Sequence, residues 1–520
     1  MTTSTHLGFD AELVQSNSLI AHYIDSITTG DDEGGTEILH ASGNFVASTN
    51  GLQNKIDLWS IANPEQMTLI TSLASKDDYS ITSVDIKGST VIAALQNDTY
   101  GSAGLVRIFD ISDLEDITST DVEVGIHPDS VALNSAGTMA FTANEAELDE
   151  DGTLDPSDSK GSISVINVTT GAVTNISFDG FTEEQLGALR ISPVAIEKHG
   201  SLIEAALYDI EPEYVALSPD ENTLFVTLQE ANAVAKIDLT AFTAGDSVTG
   251  ADVMTLLPLG TKDHSLAANS LDASDKDDAI NITTHPFKGM YMPDGITTVE
   301  IAGETYFITA NEGDDRGDFE DLDEKGSYGD ALEVKDAVEQ GLIDPSVAAT
   351  LDISKTGSGY INMSIYDGDT DGDGDIDEIH TFGGRSFTIW NADGEVVYDS
   401  GDNLDQIVAK RFPDAFDDGR SDNKGSEPEA VETFTIGDKT YLAVGTERFS
   451  VNPIFDISNP EAPVLVTAID GSSKGDISPE HLEFVTVGGK NYLLSSNEVS
   501  STIGMYELKA PVTVGETTAL

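Results

Sequence analysis

Ten acidic residues recur in five pairs along this chain, and their spacing predicts that they converge on one site. In each pair a Pro-Asp or Pro-Glu opens an apolar stretch, and a Glu follows 16–18 residues later. The pairs are Asp129 with Glu145, Glu213 with Glu230, Asp294 with Glu312, Glu429 with Glu447, and Glu480 with Glu498. Carboxylates at the same place in every copy of a repeat meet around a common axis, where they bind cations or share protons.

Two looser copies of the repeat precede these pairs, around Glu37 and Asp85, which brings the number of repeats to seven. Glu211 and Glu427 stand two residues before an opening acid and are expected at the same rim. So many carboxylates at close range cannot all stay ionised without cations or basic partners. The set therefore predicts metal or ligand binding, whereas any one member could simply satisfy backbone donors at a strand end.

Basic side chains are few, and most of the arginines stand close to the paired acids. Five of the seven lie in one part of the chain: Arg316, Arg385, Arg411, Arg420 and Arg448. An ion that polarises a phosphoryl oxygen, beside guanidinium groups that hold phosphate oxygens, is a phosphate-binding arrangement. The residues predicted to form it are Glu429, Glu447, Glu312, Arg385, Arg420 and Lys424. The alternative is that these bases only neutralise the acids.

A second acidic motif, DGDTDGDGDIDE at residues 367–378, predicts a calcium-binding loop. Alternating carboxylates with glycines at the tight positions wrap a hard cation in roughly six to eight oxygens. Its candidate ligands are Asp367, Asp369, Asp371, Asp373, Asp375, Asp377 and Glu378. A loop that starts at Asp369 places Gly374 as in an EF-hand, whereas a start at Asp367 puts Glu378 in the twelfth position. Both registers stay open, and a structural role for the ion is favoured over a catalytic one.

The charge of the chain excludes several classes of partner. Its 520 residues include 25 basic and 93 acidic side chains, for a formal net charge of −68. Nucleic acid and anionic membranes would be repelled by this charge. The absence of cysteine excludes disulfides, thiolate metal sites and cysteine nucleophiles. There is no apolar run long enough to span a membrane, and MTTSTHLGFDAELV at the start lacks the features of a secretory signal.

The elements that must position the acids are short strands. Each repeat has a further strand-like phrase after its Glu, rich in β-branched and aromatic residues. These phrases lie at residues 55–61, 105–111, 163–168, 234–239, 387–391, 454–457 and 502–508. Four short strands per repeat describe one blade of a radial β array. The sequence therefore predicts an all-β protein, a seven-bladed β-propeller.

The two ends of the chain are expected to close this ring. The last repeat stops after its third strand, at residues 502–508, and an unassigned strand at residues 19–27 precedes the first repeat. An N-terminal strand that completes the last blade would leave no unpaired edge. The propeller is thus expected at residues 19–510, between tails at 1–18 and 511–520.

Three insertions interrupt the repeats. Residues 176–210 include a short helix at 182–189, residues 260–292 are expected to form a polar loop, and residues 314–384 include a helix-like segment at 331–349. Long insertions of this kind are often functional, and we expect them to cover one face.

Several phrases resemble those of the bacterial choice-of-anchor I family. They are LPLGTKDHS at 257–265, LDASD at 271–275, KGMY at 288–291, ANEGD at 310–314, FGGRSF at 382–387 and SDNKGSEPE at 421–429. The resemblance covers roughly residues 15–510, although KGSEPEA at 424–430 replaces the usual KGPEPEG. Members are also described as mesenchyme-specific cell-surface glycoprotein-like, and some as atypical alkaline phosphatases. The resemblance implies a secreted or surface-bound propeller with varied anchoring.

Two functions follow as hypotheses. The first is a secreted or cell-surface calcium-dependent phosphoesterase, in which the channel acids hold Ca²⁺ and the bases hold a phosphate ester. The second is a non-catalytic, calcium-stapled platform for adhesion, extracellular matrix or surface-layer assembly. Both need divalent cations, and neither needs nucleic acid or a membrane span.

Overall fold

The computed structural model describes residues 19–30, 33–146, 159–277, 279–317 and 329–510. Both expected tails therefore lie outside the described residues. Strands and tight turns dominate the described chain, which is all-β.

The strands of the first half share a length of three to nine residues. They are β1 (Ile20–Thr28), β2 (Leu39–Ser42), β3 (Phe45–Asn50), β4 (Lys55–Ser60), β5 (Thr68–Ala74), β6 (Tyr79–Lys87), β7 (Thr90–Asn97), β8 (Ala103–Asp110), β9 (Thr118–Ile126), β10 (Pro128–Leu133), β11 (Met139–Asn144), β12 (Ser162–Asn167), β13 (Val173–Ser177), β14 (Pro212–Leu217), β15 (Thr223–Leu228), β16 (Ala233–Asp238), β17 (Met254–Pro258) and β18 (Thr261–Asp263).

The strands of the second half are similar. They are β19 (Phe287–Met290), β20 (Ile296–Ile301), β21 (Glu304–Asn311), β22 (Ala331–Glu333), β23 (Asn362–Ser364), β24 (Ile379–Thr381), β25 (Ser386–Asn391), β26 (Val396–Asp399), β27 (Pro428–Ile436), β28 (Lys439–Thr446), β29 (Val451–Asp456), β30 (Val464–Asp470), β31 (Pro479–Val487), β32 (Lys490–Asn497) and β33 (Thr502–Lys509). The helices are α1 (Glu183–Leu186), α2 (Pro193–His199), α3 (Leu202–Asp209), α4 (Gly250–Val253), α5 (Val334–Gln340), α6 (Pro345–Ala348) and α7 (Asn403–Arg411).

Most of these strands form four-stranded antiparallel sheets. Within the described ranges there are seven such sheets, each built largely from strands that are consecutive in the chain. They are β2-β3-β4-β5, β6-β7-β8-β9, β10-β11-β12-β13, β14-β15-β16-β17, β20-β21-β25-β26, β27-β28-β29-β30 and β31-β32-β33-β1. The first strand of each sheet contacts the first strand of the next, in the order β2, β6, β10, β14, β20, β27, β31 and back to β2. Sheets arranged radially in this way are those of a β-propeller.

Large apolar side chains fill the spaces between neighbouring sheets. Phe225 on β15 meets Phe307 on β21 with ring centroids 5.0 Å apart, and Phe307 stacks on Trp390 at 6.0 Å. All three are fully buried. Such aromatic contacts add to the hydrophobic stabilisation of the interface between two sheets.

The first described strand pairs with the last described strand, as the sequence predicts. β1 runs antiparallel to β33, from Ile20 opposite Lys509 to Thr28 opposite Thr502, with an irregularity between Tyr23 and Asp25. This pairing covers the edge that β33 would otherwise expose.

The expectation of a polar loop at residues 260–292 is wrong. β18 and β19, which belong to this segment, join β22, β23 and β24 in a five-stranded sheet, and β19 runs parallel to β24. Apolar residues scattered among polar ones, among them Leu271 and Phe287, are buried against Ile343 and Met363 of the later insertion. Two insertions that are distant in sequence thus share one small core.

The predicted helices are present but shorter than expected. α1 begins after Thr182, whose side chain and that of Gln185 form a reciprocal capping box. In the segment at 331–349, the first three residues are β22, and α5 ends at Gln340 and is capped by Gly341, whose φ of 73° favours glycine. Among the described residues, none of the helices has both the length and the apolar character needed to cross a membrane.

Candidate functional site

Most of the opening carboxylates sit on a β-bulge at the start of the first strand of a sheet. The register shifts directly after Pro128, Pro212, Pro428 and Pro479. The residues that follow these prolines are Asp129, Glu213, Glu429 and Glu480. A bulge re-aims the side chain at its extra residue, so the repeated bulge turns the repeated acid toward the channel.

The backbone before these acids is also unusual. His127, Met292, Glu427 and Ser478, each followed by Pro and then an opening acid, have φ between 44° and 66°. Such left-handed conformations are costly outside glycine and persist where the surrounding structure holds them.

Backbone hydrogen bonds place three of the closing Glu residues beside their opening partners. The N–H groups of Glu145, Glu447 and Glu498 donate to the carbonyl oxygens of His127, Glu427 and Ser478, at 2.8, 2.9 and 2.8 Å. The start of a first strand and the end of a second strand therefore meet at the same rim.

Close contact between neighbouring sheets brings the acids of different repeats together. A Cβ atom at Gly295, next to Asp294, would lie only 2.1 Å from the carbonyl oxygen of Glu429. Glycine is thus required where β20 approaches β27.

These acids line one cavity of about 500 Å³, which we call the acidic mouth. Its acidic lining residues are Glu37, Asp129, Glu145, Glu213, Asp294, Glu312, Asp314, Glu429, Glu447, Glu480 and Glu498. Lys424 and Arg448 are the basic residues of this lining. Glu230, also predicted here, is buried next to the cavity, and its charge acts on Glu213.

The bases at the mouth are bound to acids. Lys424 Nζ lies 2.9 Å from Glu312 Oε1 and 2.7 Å from Asp314 Oδ1. Arg448 lies 3.1 Å from Glu427 Oε2 through Nε and 2.8 Å from Glu447 Oε1 through Nη1. A phosphate could reach either base only with a cation to offset the surrounding carboxylates.

Other predicted bases lie behind the mouth. Arg420 Nε donates to Oε1 of the fully buried Glu427 at 2.8 Å. Arg385 is buried and donates to the carbonyl oxygens of Asp272 at 3.0 Å and Asn423 at 2.6 Å. The expected approach of Arg385 to the channel is therefore not observed, because its guanidinium is bound by the segment between β18 and β19 and by the loop before β27.

Arg316 and Arg411 do not line the cavity either. Arg316 is paired with the buried Asp209, at 3.2 Å, and with Asp330, at 3.6 Å. Arg411 is the exposed last residue of α7.

Two groups of acids at the mouth are close enough to share one ion, and both contain Glu447. Glu429, Glu447 and Glu480 offer ligand oxygens within 4.8 Å of one another, and so do Glu312, Glu427 and Glu447. In the second group Glu427 already has Arg420 and Arg448, and Glu312 already has Lys424. In the group of Glu429, Glu447 and Glu480, fewer basic side chains balance the negative charge. This group is therefore the better candidate for binding a cation.

Burial makes the charged forms of these carboxyls unfavourable. It raises the pKa of Glu480 to about 8 and that of Glu447 to about 7, in spite of the nearby Arg448. Burial, the charge of Glu480 and a carboxyl–carboxyl hydrogen bond to it raise the pKa of Glu429 well above its usual range. Such a group is either protonated or bound to a cation.

Further along the ring, carboxylate oxygens are buried without a hydrogen-bond partner. Among the described residues these include Glu213 Oε2, Glu230 Oε2, Asp294 Oδ2 and Glu429 Oε2. An orphaned buried acceptor is costly and indicates a ligand, an ion or a proton at that place.

In the loop at 367–378, Asp369, Asp371 and Asp377 have oxygens within 4.8 Å of one another. Asp367 is turned away and lies 2.7 Å from Nε of Arg190. Asp373, Asp375 and Glu378 are outside that group. The geometry thus favours the register that starts at Asp369.

A second cavity of about 330 Å³ occupies the other end of the channel. Tyr214 lines both cavities, as do Ile38, Ser83 and Ser130, and the second cavity also contains His40, Lys87 and Glu483. His40 Nδ1 lies 3.1 Å from Glu483 Oε2. The two ends of the channel therefore differ in charge.

The sequence did not indicate some contributors to the mouth. Tyr214 reads as an ordinary strand residue, and Ser478, which donates to Glu447 Oε1 at 2.9 Å, reads as a turn residue. Gln229 donates to Glu312 Oε2 at 2.9 Å, and only its position next to Glu230 could have signalled it.

Comparison with known proteins shows a family match. The model of the choice-of-anchor I domain matches residues 38–460. Gigasin-3a of Magallana gigas is 30% identical over 101 residues, which are 17% of this chain and 36% of that protein. The match thus spans little more than a third of that relative.

Solved structures resemble the chain over most of its length at low identity. Hydrazine synthase of Kuenenia stuttgartiensis has a TM-score of 0.48 and 12% identity, over 93% of this chain and 98% of that one. The Cps50 (Swd1) β-propeller domain of Myceliophteria thermophila has a TM-score of 0.44 and 11% identity, over 93% and 100% of the two chains.

Proposed function

This chain belongs to the choice-of-anchor I domain family, and on that premise we propose that it is a calcium-binding, seven-bladed β-propeller of the cell surface or the secreted fraction. We further propose that its acidic mouth hydrolyses phosphate esters in a calcium-dependent reaction. The ring of contacts between seven first strands supports the blade number, with residues 19–510 as the propeller.

The observation that carries the proposal is the shared position of Glu447. Its carboxylate belongs to the group with Glu429 and Glu480, and it also touches Arg448. A cation held there would lie beside a guanidinium, which is the pairing that phosphate recognition requires.

The residues of the mouth fit a hard cation. Glu429, Glu447 and Glu480 supply oxygen ligands, and the orphaned Oε2 of Glu429 is available for one more bond. Ca²⁺ prefers several carboxylate and carbonyl oxygens and would polarise a bound phosphoryl oxygen.

The protein's own bases would then orient the ester. Arg448 can hold two phosphate oxygens with its planar guanidinium, while Lys424 offers a point charge near Glu312. Arg420 contacts the carboxylate of Glu427, which also contacts Arg448, so the role proposed for Arg420 is to position Arg448.

The loop at residues 369–377 is proposed as a separate, structural calcium site. Asp367, two residues before this loop, forms an ion pair with Arg190, which also pairs with the buried Asp330. An ion in the loop would therefore make the insertion more rigid.

A non-catalytic platform is the second candidate function. The observation in its favour is that Lys424 and Arg448 are already paired with acids, which leaves no preformed phosphate cradle. In that case calcium would stabilise a rigid surface for adhesion, matrix or surface-layer contacts.

Hydrolysis of p-nitrophenyl phosphate and of its bis ester, with Ca²⁺ and with chelator, separates the two. Turnover that chelation abolishes and that Glu429→Gln removes supports the enzyme, with the exposed Glu300→Gln as matched control. Absence of turnover between about pH 6 and 10, with several metals, favours the platform.

A further inference from the structure

The acidic mouth has a second arc, formed by Asp129, Glu213 and Asp294. These acids open β10, β14 and the segment before β20, which are consecutive in the ring. All three line the cavity, together with Tyr214. This arc shares no residue with the adjacent proposed cation site of Glu429, Glu447 and Glu480.

Two side chains of this arc offer buried acceptors without a partner. Glu213 is 7% exposed and Asp294 is 8% exposed, and their atoms Oε2 and Oδ2 have no hydrogen-bond partner among the described residues. A group that donates hydrogen bonds and carries positive charge would satisfy both atoms.

The spacing of the arc does not suit a single metal ion. Within the described part of the chain, the acid groups whose ligand atoms lie within 4.8 Å of one another do not include Asp129, Glu213 or Asp294. Direct ligation of one Ca²⁺ needs oxygens at about 2.3–2.6 Å from the ion, which holds the ligands close together. A primary ammonium does not need all three acids at one point, because two of its N–H groups can donate to Glu213 and Asp294 while the third donates to another acceptor.

We propose that Asp129, Glu213 and Asp294, with Tyr214 beside them, form a binding subsite for a primary alkylammonium group of a small molecule. A primary ammonium has three N–H donors, enough for both orphaned oxygens and one further acceptor. The ring of Tyr214 adds an aromatic neighbour for the cation. A quaternary ammonium has no N–H donor and leaves Glu213 Oε2 and Asp294 Oδ2 unsatisfied.

The subsite goes beyond the proposed function and stands without it. If phosphate esters are hydrolysed at the neighbouring cation site, the subsite selects aminoalkyl phosphates, because their amine and phosphate ends would meet the two arcs of one cavity. The substrate class is then a phosphate monoester with a terminal primary amine.

Calorimetric titration with 1,4-diaminobutane and ethanolamine, in saturating Ca²⁺, tests binding directly. We expect the wild-type protein to bind both amines and to bind tetramethylammonium at least about tenfold more weakly. Equal binding of tetramethylammonium would show only attraction to the overall negative charge and would overturn the subsite. Absence of amine binding would overturn it as well.

Glu213→Gln and Asp294→Asn locate the binding. Both are close in shape to the native residues, and each is expected to weaken amine binding about tenfold while unfolding midpoints stay close to that of the Glu300→Gln control. Unchanged amine affinity in both variants would contradict the assignment.

The hydrolysis of O-phosphoethanolamine and ethyl phosphate then separates the two proposals. Equal kcat/KM values for the two esters would overturn only the proposal that the substrates are aminoalkyl phosphates. If neither ester is hydrolysed, only the proposed phosphoesterase activity is overturned.

Discussion

Nη1 of Arg448 lies 2.8 Å from Oε1 of Glu447, so the carboxylate shared by both acid groups of the mouth already has one cationic partner. The same guanidinium reaches Glu427 through Nε. Glu447 thus belongs both to the acid group whose negative charge is balanced by nearby bases and to the acid group in which the other two members have no basic ion-pair partner in the described part of the chain.

Replacement of Glu447 by Gln is expected to abolish the calcium response of the mouth. The variant removes one charge from the group with Glu429 and Glu480 and should lower calcium-dependent turnover by roughly a hundredfold or more. Kinetics at several Ca²⁺ concentrations measure this, with Glu300→Gln as control. Wild-type turnover in the Glu447 variant would exclude the mouth as the catalytic site.

Asp371→Asn in the loop is expected to cost stability rather than activity. A ligand that binds only the folded state stabilises it by mass action, so the rise in Tm on addition of Ca²⁺ should shrink in this variant. Asp393→Asn, at a side chain that is 85% exposed, is the control. A calcium response identical in both variants would show that no ion binds in the loop.

In excess chelator, stability should fall as pH rises. Burial raises the pKa of Glu37 to about 7 and that of Glu230 to about 8, so the fold favours their neutral forms. This contribution is complete below the ordinary pKa near 4.5 and is lost as pH rises through 7 and 8. Thermal unfolding measured across this pH range gives the dependence of Tm on pH. The Glu230→Gln variant should show a smaller decrease of Tm with rising pH. A Tm that rises with pH would contradict the assignment.

Deletion of residues 1–28 should destabilise the whole ring. It removes β1 and exposes the edge of β33, which invites aggregation. Deletion of residues 1–18 alone is the matched control. Equal Tm values for the two truncated proteins would mean that the β1 pairing contributes little.

The sequence predicted the repeat and the convergence of its acids because both depend on local patterns. A Pro followed by an acid recurs at a fixed place, and a Glu such as Glu447 follows at a fixed distance. The period therefore indicated which side chains share a rim, and it indicated the N-terminal strand as well.

Side-chain partners across the structure could not be predicted in the same way. Arg190 and Asp367 are 177 positions apart, and Lys424 and Glu312 are 112 apart. Which base meets which acid depends on how the insertions fold back, and β18 and β19 are too short to be recognised from alternation alone. The prediction of a polar loop at residues 260–292 was wrong for that reason.

The pairing of β1 with β33 also sets the order in which the molecule can be built. Sheets such as β10-β11-β12-β13 form from neighbouring segments, with short loops to close. The sheet that contains β1 needs segments from opposite ends of the described chain, and contacts between such distant segments form slowly. During synthesis β1 must remain without its partner until β33 has emerged from the ribosome, so ring closure follows the formation of sheets built from neighbouring segments.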